Sequence, residues 1–104
     1  MVRKVFYVEF AVNDLASIYN YISRDSIKYA RLEVKKIKAF AETIKYHPLK
    51  GKFFEMVKGE EIRSIVFKQY IIFYSVGIDR INILTIHHHA RLISNNPGFK
   101  DEDE

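Results

Sequence analysis

The sequence contains no cysteine and no tryptophan, and it has only 4 glycines and 2 prolines among 104 residues. Without cysteine there is no disulfide bond, no thiolate nucleophile and no cysteine-based zinc site. No apolar run approaches the ~20 residues that span a bilayer, and the first residues lack the apolar core and cleavage site of a signal peptide. We therefore predict a cytoplasmic protein with no membrane association.

Motifs for nucleotide, metal or serine chemistry are missing as well. There is no phosphate-binding glycine loop, no nucleophile elbow and no calcium loop spacing. Three consecutive histidines occupy residues 87–89. On a strand only His87 and His89 would share a face, whereas a catalytic zinc site needs three protein ligands. We predict no metal and no cofactor.

Charge is the first positive feature of the sequence. Its 17 basic residues outnumber 13 acidic ones, for a net charge of +4. The last four residues, 101–104, are all acidic, and without them 17 basic residues face 9 acidic ones, a net charge of +8. A body this basic favours a polyanionic or acidic partner, because opposite charge steers encounter. The alternative is a basic surface that only keeps the protein soluble.

The first half of the chain predicts one strand and two helices. Residues 2–10 are rich in Val, Phe and Tyr, which is typical of a strand. Asn13 or Asp14 can cap a first helix, and Asp25 or Ser26 a second. Apolar residues recur 3 and 4 apart in both helices, in the second at Ile27, Ala30, Val34, Ile37, Ala41 and Ile44. The second helix should stop at His47, because the next residue is proline.

The second half predicts a small antiparallel sheet. Residues 49–61 read as a connection, followed by strands at 62–67, 70–76 and 80–87 separated by short turns. Residues 70–74 are apolar at every position, as in a central strand covered on one side and half-covered on the other. The sequence thus predicts an α+β fold in which a helical hairpin packs on one face of the sheet, which the first strand joins. We expect one domain over residues 1–94 and a disordered acidic tail over 95–104.

Two groups of residues could carry function. The first lies on the second helix, where basic side chains 3 and 4 apart could bind phosphates or an acidic partner: Lys28, Arg31, Lys35 and Lys38. We call this group the basic stripe. The alternative is that these long side chains only solvate an amphipathic helix.

The second group lies on the sheet, where we expect Arg63, Tyr74, His88 and Arg91 to line the exposed face. Arginine binds phosphate or carboxylate in a bidentate manner, and histidine titrates near neutrality. With Glu55 nearby, a metal-free acid–base site for phosphodiester cleavage is one interpretation. The other is a set of half-buried strand residues with satisfied hydrogen bonds.

In its ordered set of motifs, the chain resembles the ParE branch of the ParE/RelE toxin superfamily. No single motif is specific, but together they cover nearly the whole chain. The matching residues are Pro48-Leu49-Lys50-Gly51-Lys52, Glu55, Ile62-Arg63, Tyr70-Ile71-Ile72-Phe73-Tyr74, and His88 with Arg91. The resemblance implies a RelE/ParE-like fold and a toxin that a cognate antitoxin neutralises by wrapping a segment over it.

The resemblance also implies a choice between two mechanisms. RelE-like members cleave messenger RNA in the ribosomal A site and use basic residues on the sheet. Here Ile71 stands where those members have an arginine in the central strand. Of the two lysines in their preceding strand, one position is held by Arg63 and the other by Ile65. These departures remove charge where oxyanion stabilisation would need it.

ParE-like members are described as inhibitors of DNA gyrase that act by binding, and the sequence falls on that side. The enzyme alternative is a ribosome-dependent endoribonuclease using Arg63, Arg91, His88, Glu55 and Tyr74. A third interpretation is a degenerate member that only binds its partner. Both a homo-oligomer and a toxin–antitoxin hetero-oligomer remain compatible with the sequence.

Overall fold

Two helices and a five-stranded sheet make up the fold. The computed structural model describes residues 3–88. Its elements in chain order are β1 (Lys4–Tyr7), α1 (Glu9–Ser23), α2 (Ile27–Thr43) with a 3₁₀ turn (Ile44–Tyr46), β2 (Lys52–Val57), β3 (Glu60–Phe67), β4 (Tyr70–Val76) and β5 (Arg80–His88). The strand order is β1-β5-β4-β3-β2, and β1 pairs parallel to β5 while the other pairs are antiparallel. The predicted α+β class is confirmed.

β4 is the central strand and fixes the position of the core. Its alternate residues Tyr70, Ile72 and Tyr74 are at most 1% exposed, whereas Ile71 and Phe73 are half-buried. Successive side chains of a strand point to opposite faces, so the first three lie on the face that the helices cover. The other face, which we call the open face, is only partly shielded, as the apolar run predicted.

The two helices cover that core with the apolar residues of one face of each helix. Ala30, Ile37 and Ala41 of α2 and Ala11 of α1 are fully buried. The helices pack on each other, and α1 also packs on β5. Ile27, the first of the apolar residues that recur 3 and 4 apart in this helix, is 56% exposed. The packed part of α2 therefore begins at Ala30, one turn into the helix.

The ends of α2 follow the sequence signals. Ser26 is the N-cap, and its Oγ accepts a hydrogen bond from the backbone N of Tyr29 at 3.0 Å. This bond satisfies one of the unpaired N–H groups of the first turn. After Thr43 the chain tightens into the 3₁₀ turn, which ends immediately before His47 and Pro48. Both predicted boundaries are confirmed.

The first helix begins earlier than the sequence predicts, and the first strand is shorter. The strand predicted over residues 2–10 is only four residues long, and α1 begins at Glu9 with Val8 as N-cap and no side-chain cap. Asp14 caps nothing. Its Oδ2 instead accepts hydrogen bonds from Thr85 Oγ1 at 2.6 Å and from the backbone N of Ile86 at 3.0 Å. Asp14 of α1 thus accepts a backbone hydrogen bond from β5 beyond the last residue that pairs with β1.

The connection predicted over residues 49–61 contains a further strand, β2. It forms an edge of the sheet, and all six of its residues are exposed. Because neither face of β2 is buried, its sequence carries no alternation that would mark a strand. The antiparallel meander therefore has four strands rather than three.

Within residues 3–88, neither helix is long and apolar enough to cross a membrane. Arg91 and the predicted acidic tail lie outside the described residues. The single domain over residues 1–94 stays a prediction.

Candidate functional site

Arg63 of β3 is held by hydrogen bonds at most of its donors. Its Nε and Nη2 donate to Glu61 Oε1 at 2.9 and 2.6 Å, and its Nη1 donates to the backbone oxygens of Leu49 and Gly51 at 3.1 and 2.7 Å. The side chain is 17% exposed. Since a guanidinium has five N–H donors in a fixed fork, little of its binding capacity remains for a ligand.

Tyr74 of β4 pairs with Arg63 in the sheet and hydrogen-bonds to the same segment, residues 48–51. Its hydroxyl donates to the backbone oxygen of Pro48 at 2.8 Å and accepts from the backbone N of Gly51 at 3.0 Å. Burial raises the pKa of Tyr74, while the bond from Gly51 and the charge of Arg63 act to lower it. We call Arg63, Tyr74 and residues 48–51 the clasp.

Gly51 is the position where the clasp tolerates no side chain. A Cβ there would lie 2.5 Å from Tyr74 Oη and 2.8 Å from the backbone oxygen of Ser64. Both contacts are closer than atoms approach without displacement. The clasp therefore depends on a glycine for space and not for backbone conformation.

The predicted site on the exposed sheet face is wrong in its placement. Tyr74 is 0% exposed on the helix-covered face, and Arg63 is paired with it on that face. His88 also lies on the helix-covered side, packed edge-on against Tyr70 with ring centroids 5.4 Å apart. Tyr70 and Tyr74 are four residues apart, roughly 13 Å along the strand. Arg63 and Tyr74 are thus together, as predicted, but His88 is at the opposite end of β4.

Glu55 lies on the other side of the sheet from Arg63. It pairs with Ile62, the chain neighbour of Arg63, and neighbours in a strand point to opposite faces. Arg91 lies outside the described residues. Arg63 and Tyr74 have satisfied hydrogen bonds, as the second interpretation of this group predicts, although Tyr74 is fully buried.

The open face carries aromatic side chains in place of the expected arginine and tyrosine. Phe73 contacts Phe54 edge-on at 5.6 Å between ring centroids, and the His87 ring lies 6.2 Å away on its other side. His87 Nε2 is 3.3 Å from Thr85 Oγ1. No group of three His, Cys, Asp or Glu side chains within residues 3–88 is placed to hold a metal ion.

The basic stripe is where the sequence placed it, on the outer surface of α2, and all four of its residues are exposed. Two adjoining depressions run beside it. One of about 390 Å³ has Tyr19 and Val34 among its walls, and one of about 490 Å³ has Ile27 and Leu32. Arg31 and Lys35 border both depressions. The stripe is therefore the rim of an apolar surface, a combination that fits an amphipathic acidic segment.

Lys45 follows the basic stripe along the chain but is paired with a neighbouring carboxylate. Its Nζ lies 2.6 Å from Glu42 Oε1, one turn earlier on the helix. This hydrogen bond raises the pKa of Lys45. Its charge is consequently compensated within the chain.

Comparison with known proteins places the chain in a family. A sequence model of the family described as "ParE toxin of type II toxin-antitoxin system, parDE" matches residues 5–93. The chain belongs to the ParE toxin family. It is a ParE-type toxin of a type II toxin–antitoxin system, and the predicted resemblance is confirmed.

Solved structures agree with this ParE fold. A chain of the chromosomal ParDE toxin–antitoxin system from P. aeruginosa superposes with a TM-score of 0.69 at 20% identity, over 84% of this chain and 96% of that one. A chain of the archaeal RelE–RelB complex from Pyrococcus horikoshii OT3 superposes with a TM-score of 0.63 at 17% identity, over 88% and 99%. At these identities the likeness concerns the fold. No curated protein sequence matches the chain.

Proposed function

We propose that this ParE-type toxin acts by binding an essential target, DNA gyrase, and that a cognate antitoxin neutralises it. The observation that carries the proposal is the state of Arg63. The endoribonuclease alternative uses this guanidinium for the phosphate or the transition state, yet most of its donors are committed to the clasp. A residue that fixes a loop is compatible with binding and poorly suited to catalysis.

The dispersion of the other candidates supports the same choice. Tyr74 is buried, His88 lies at the other end of β4, and Glu55 is on the opposite face. General acid–base catalysis requires its groups within hydrogen-bonding reach of one substrate. Burial also raises the pKa of Tyr74, which makes it a weaker proton donor near neutrality.

The test compares two targets with one preparation of the toxin. We expect purified protein to inhibit DNA supercoiling by gyrase and to leave messenger RNA intact in a translating ribosome extract. Cleavage of mRNA in the A site, with supercoiling unaffected, would favour the RelE-like alternative. Induced expression without growth arrest and without either effect would favour a member that only binds its partner.

For the antitoxin we propose the basic stripe and its apolar depressions as the docking surface. Both solved relatives come from toxin–antitoxin systems, which supports an antitoxin as partner. Four exposed cations along a surface of exposed Ile27 and Leu32 suit a segment that carries acidic and apolar residues on one side. Charge contributes steering and specificity to such an interface, and apolar burial contributes affinity.

A further inference from the structure

A small crevice lies at the end of β4 remote from the clasp, between α1 and α2. Its volume is about 100 Å³, and its walls include Tyr21, Tyr29, Glu33, Tyr70 and His88. Pockets that enclose a whole small-molecule ligand measure roughly 300–1,000 Å³. This crevice has room for the end of one side chain.

Glu33 gives the crevice its chemistry. It lies on the core-facing side of α2 and is 1% exposed. Within residues 3–88 its Oε1 accepts no hydrogen bond. The nearest cation there is Lys68 Nζ at 3.7 Å, beyond hydrogen-bond distance, on a side chain that is 40% exposed. Tyr70 hydrogen-bonds to this carboxylate, whereas Oε1 has no such partner among the described residues. A buried carboxylate is costly unless it is paired and hydrogen-bonded, so Oε1 is suited to an incoming donor.

Aromatic rings surround this carboxylate. Burial raises the pKa of Tyr70 to about 12, and the charges of Glu33 and Tyr29 and a hydrogen bond with Glu33 act in the same direction. Tyr21 and Tyr29 are 57% and 52% exposed and line the crevice; the guanidinium carbon of Arg24 lies 5.7 Å from the centre of the Tyr21 ring. Aromatic faces attract cations, arginine more often than lysine.

We propose that the crevice binds the guanidinium group of an arginine side chain presented by a protein partner, with Glu33 as its counter-ion. A planar guanidinium stacks on aromatic rings and donates paired hydrogen bonds to a carboxylate. An ammonium group lacks both properties, and that of Lys68 approaches Oε1 without hydrogen bonding to it. This interaction does not depend on whether gyrase is the target.

The experiment is an NMR titration of the full chain with N-acetyl-arginine N-methylamide as the probe. We expect saturable shifts of the Tyr70 and His88 ring resonances, with a Kd in the millimolar range. Glu33→Gln should weaken binding about tenfold, because it removes a charge-assisted bond. The matched control is Glu42→Gln, on the exposed side of the same helix, which should bind as the parent does. The neutral citrulline analogue should not bind.

Equal affinity of Glu33→Gln and the parent, or equal binding of the citrulline analogue, would overturn the proposal. If Glu33→Gln does not fold, Tyr29→Leu provides the same test at an exposed residue. It should weaken the probe at least about threefold by removing one aromatic wall, and unchanged affinity would count against the site. Binding that emerges only in Arg91→Gln would show that the chain's own arginine occupies the crevice, which also contradicts a partner's arginine.

Discussion

The clasp and the basic stripe each contain an arginine, and the two arginines lie in opposite surroundings. Arg63 is 17% exposed and bonded to three residues, whereas Arg31 is exposed beside an apolar depression. Within the described part of the chain, no member of the stripe forms a salt bridge. Arg63 is therefore structural, because neighbouring oxygens accept hydrogen bonds from it, whereas the exposed Arg31 is available to a partner. The clasp should respond to substitution through stability, and the stripe through binding.

The largest effect is expected at Tyr74, at the base of the clasp. Tyr74→Ala removes a fully buried ring and should lower the free energy of unfolding by about 3–5 kcal/mol, because the core cannot fill the space. Tyr74→Phe should cost about 1–2 kcal/mol, since it leaves the backbone groups of Pro48 and Gly51 unpaired. Urea denaturation followed by circular dichroism measures both changes. Tyr46→Ala, at a tyrosine that is 60% exposed, is the control and should change stability by less than about 0.5 kcal/mol.

The next largest effect is expected from Arg63→Gln, which should lower the free energy of unfolding by about 2–3 kcal/mol. The amide cannot reproduce the fork that joins Glu61 to two backbone carbonyls, and hydrogen bonds to charged groups contribute about 1.5–3 kcal/mol. Arg31→Gln makes the same chemical change in the stripe and should shift the urea midpoint very little. Equal stability losses in the two variants would contradict the distinction between clasp and stripe.

Gly51→Ala tests the space within the clasp. A methyl group placed 2.5 Å from Tyr74 Oη must displace either the ring or the loop, at a cost of roughly 1.5 kcal/mol. The substitution should cost less in a Tyr74→Phe background, where the hydroxyl is gone. A double-mutant cycle measures this coupling. Additive effects would place the strain at the contacts that Phe retains, the backbone oxygen of Ser64 at 2.8 Å and the ring Cε1 at 2.9 Å.

Much of the fold was readable because local signals and tertiary packing agree. α2 combines a 3–4 apolar period with a serine cap, and β3, β4 and β5 lie within two residues of their predicted bounds. β2 was missed because it is exposed on both faces. The start of α1 was missed because the partners of Asp14 lie about 70 residues away, and no local pattern reports a contact at that separation.

The sequence predicts which residues of the candidate site are neighbours but not which face of the sheet they occupy, and the reason lies in β4. Pairing of neighbouring strands brings Arg63 and Tyr74 together, and the sequence gives that neighbourhood. Which face they occupy depends on where the helices pack, and β4 is apolar on both faces. In β5 the register shifts between Ile83 and Thr85. Because of this shift, the side chain of His88 lies on the same helix-covered face as that of Ile86. No pattern in the sequence predicts the shift.

The smallest effect on stability, and a large effect on binding, is expected from the stripe. A variant with Lys28, Arg31, Lys35 and Lys38 all replaced by Gln should keep its free energy of unfolding within about 0.5 kcal/mol, because exposed substitutions remove no packed contact. The same variant should bind the antitoxin about ten- to a hundredfold more weakly in isothermal titration calorimetry, since each lost contact charge contributes up to about 1 kcal/mol. It should also lose much of the salt dependence of binding, as long-range attraction is screened within ~8–10 Å at ordinary ionic strength.

A charge-matched control separates the stripe from net charge. Lys4, Arg24, Lys52 and Lys58 are also exposed, and replacing these four by Gln changes the net charge equally. If docking depends on position, this control should retain most of its affinity and its salt dependence, because its cations do not border the apolar depressions. If the two quadruple variants weaken equally, the antitoxin responds to the charge of the whole molecule. The stripe would then be a solvated helix face, and the exposed apolar residues beside it would have to be tested separately as the docking surface.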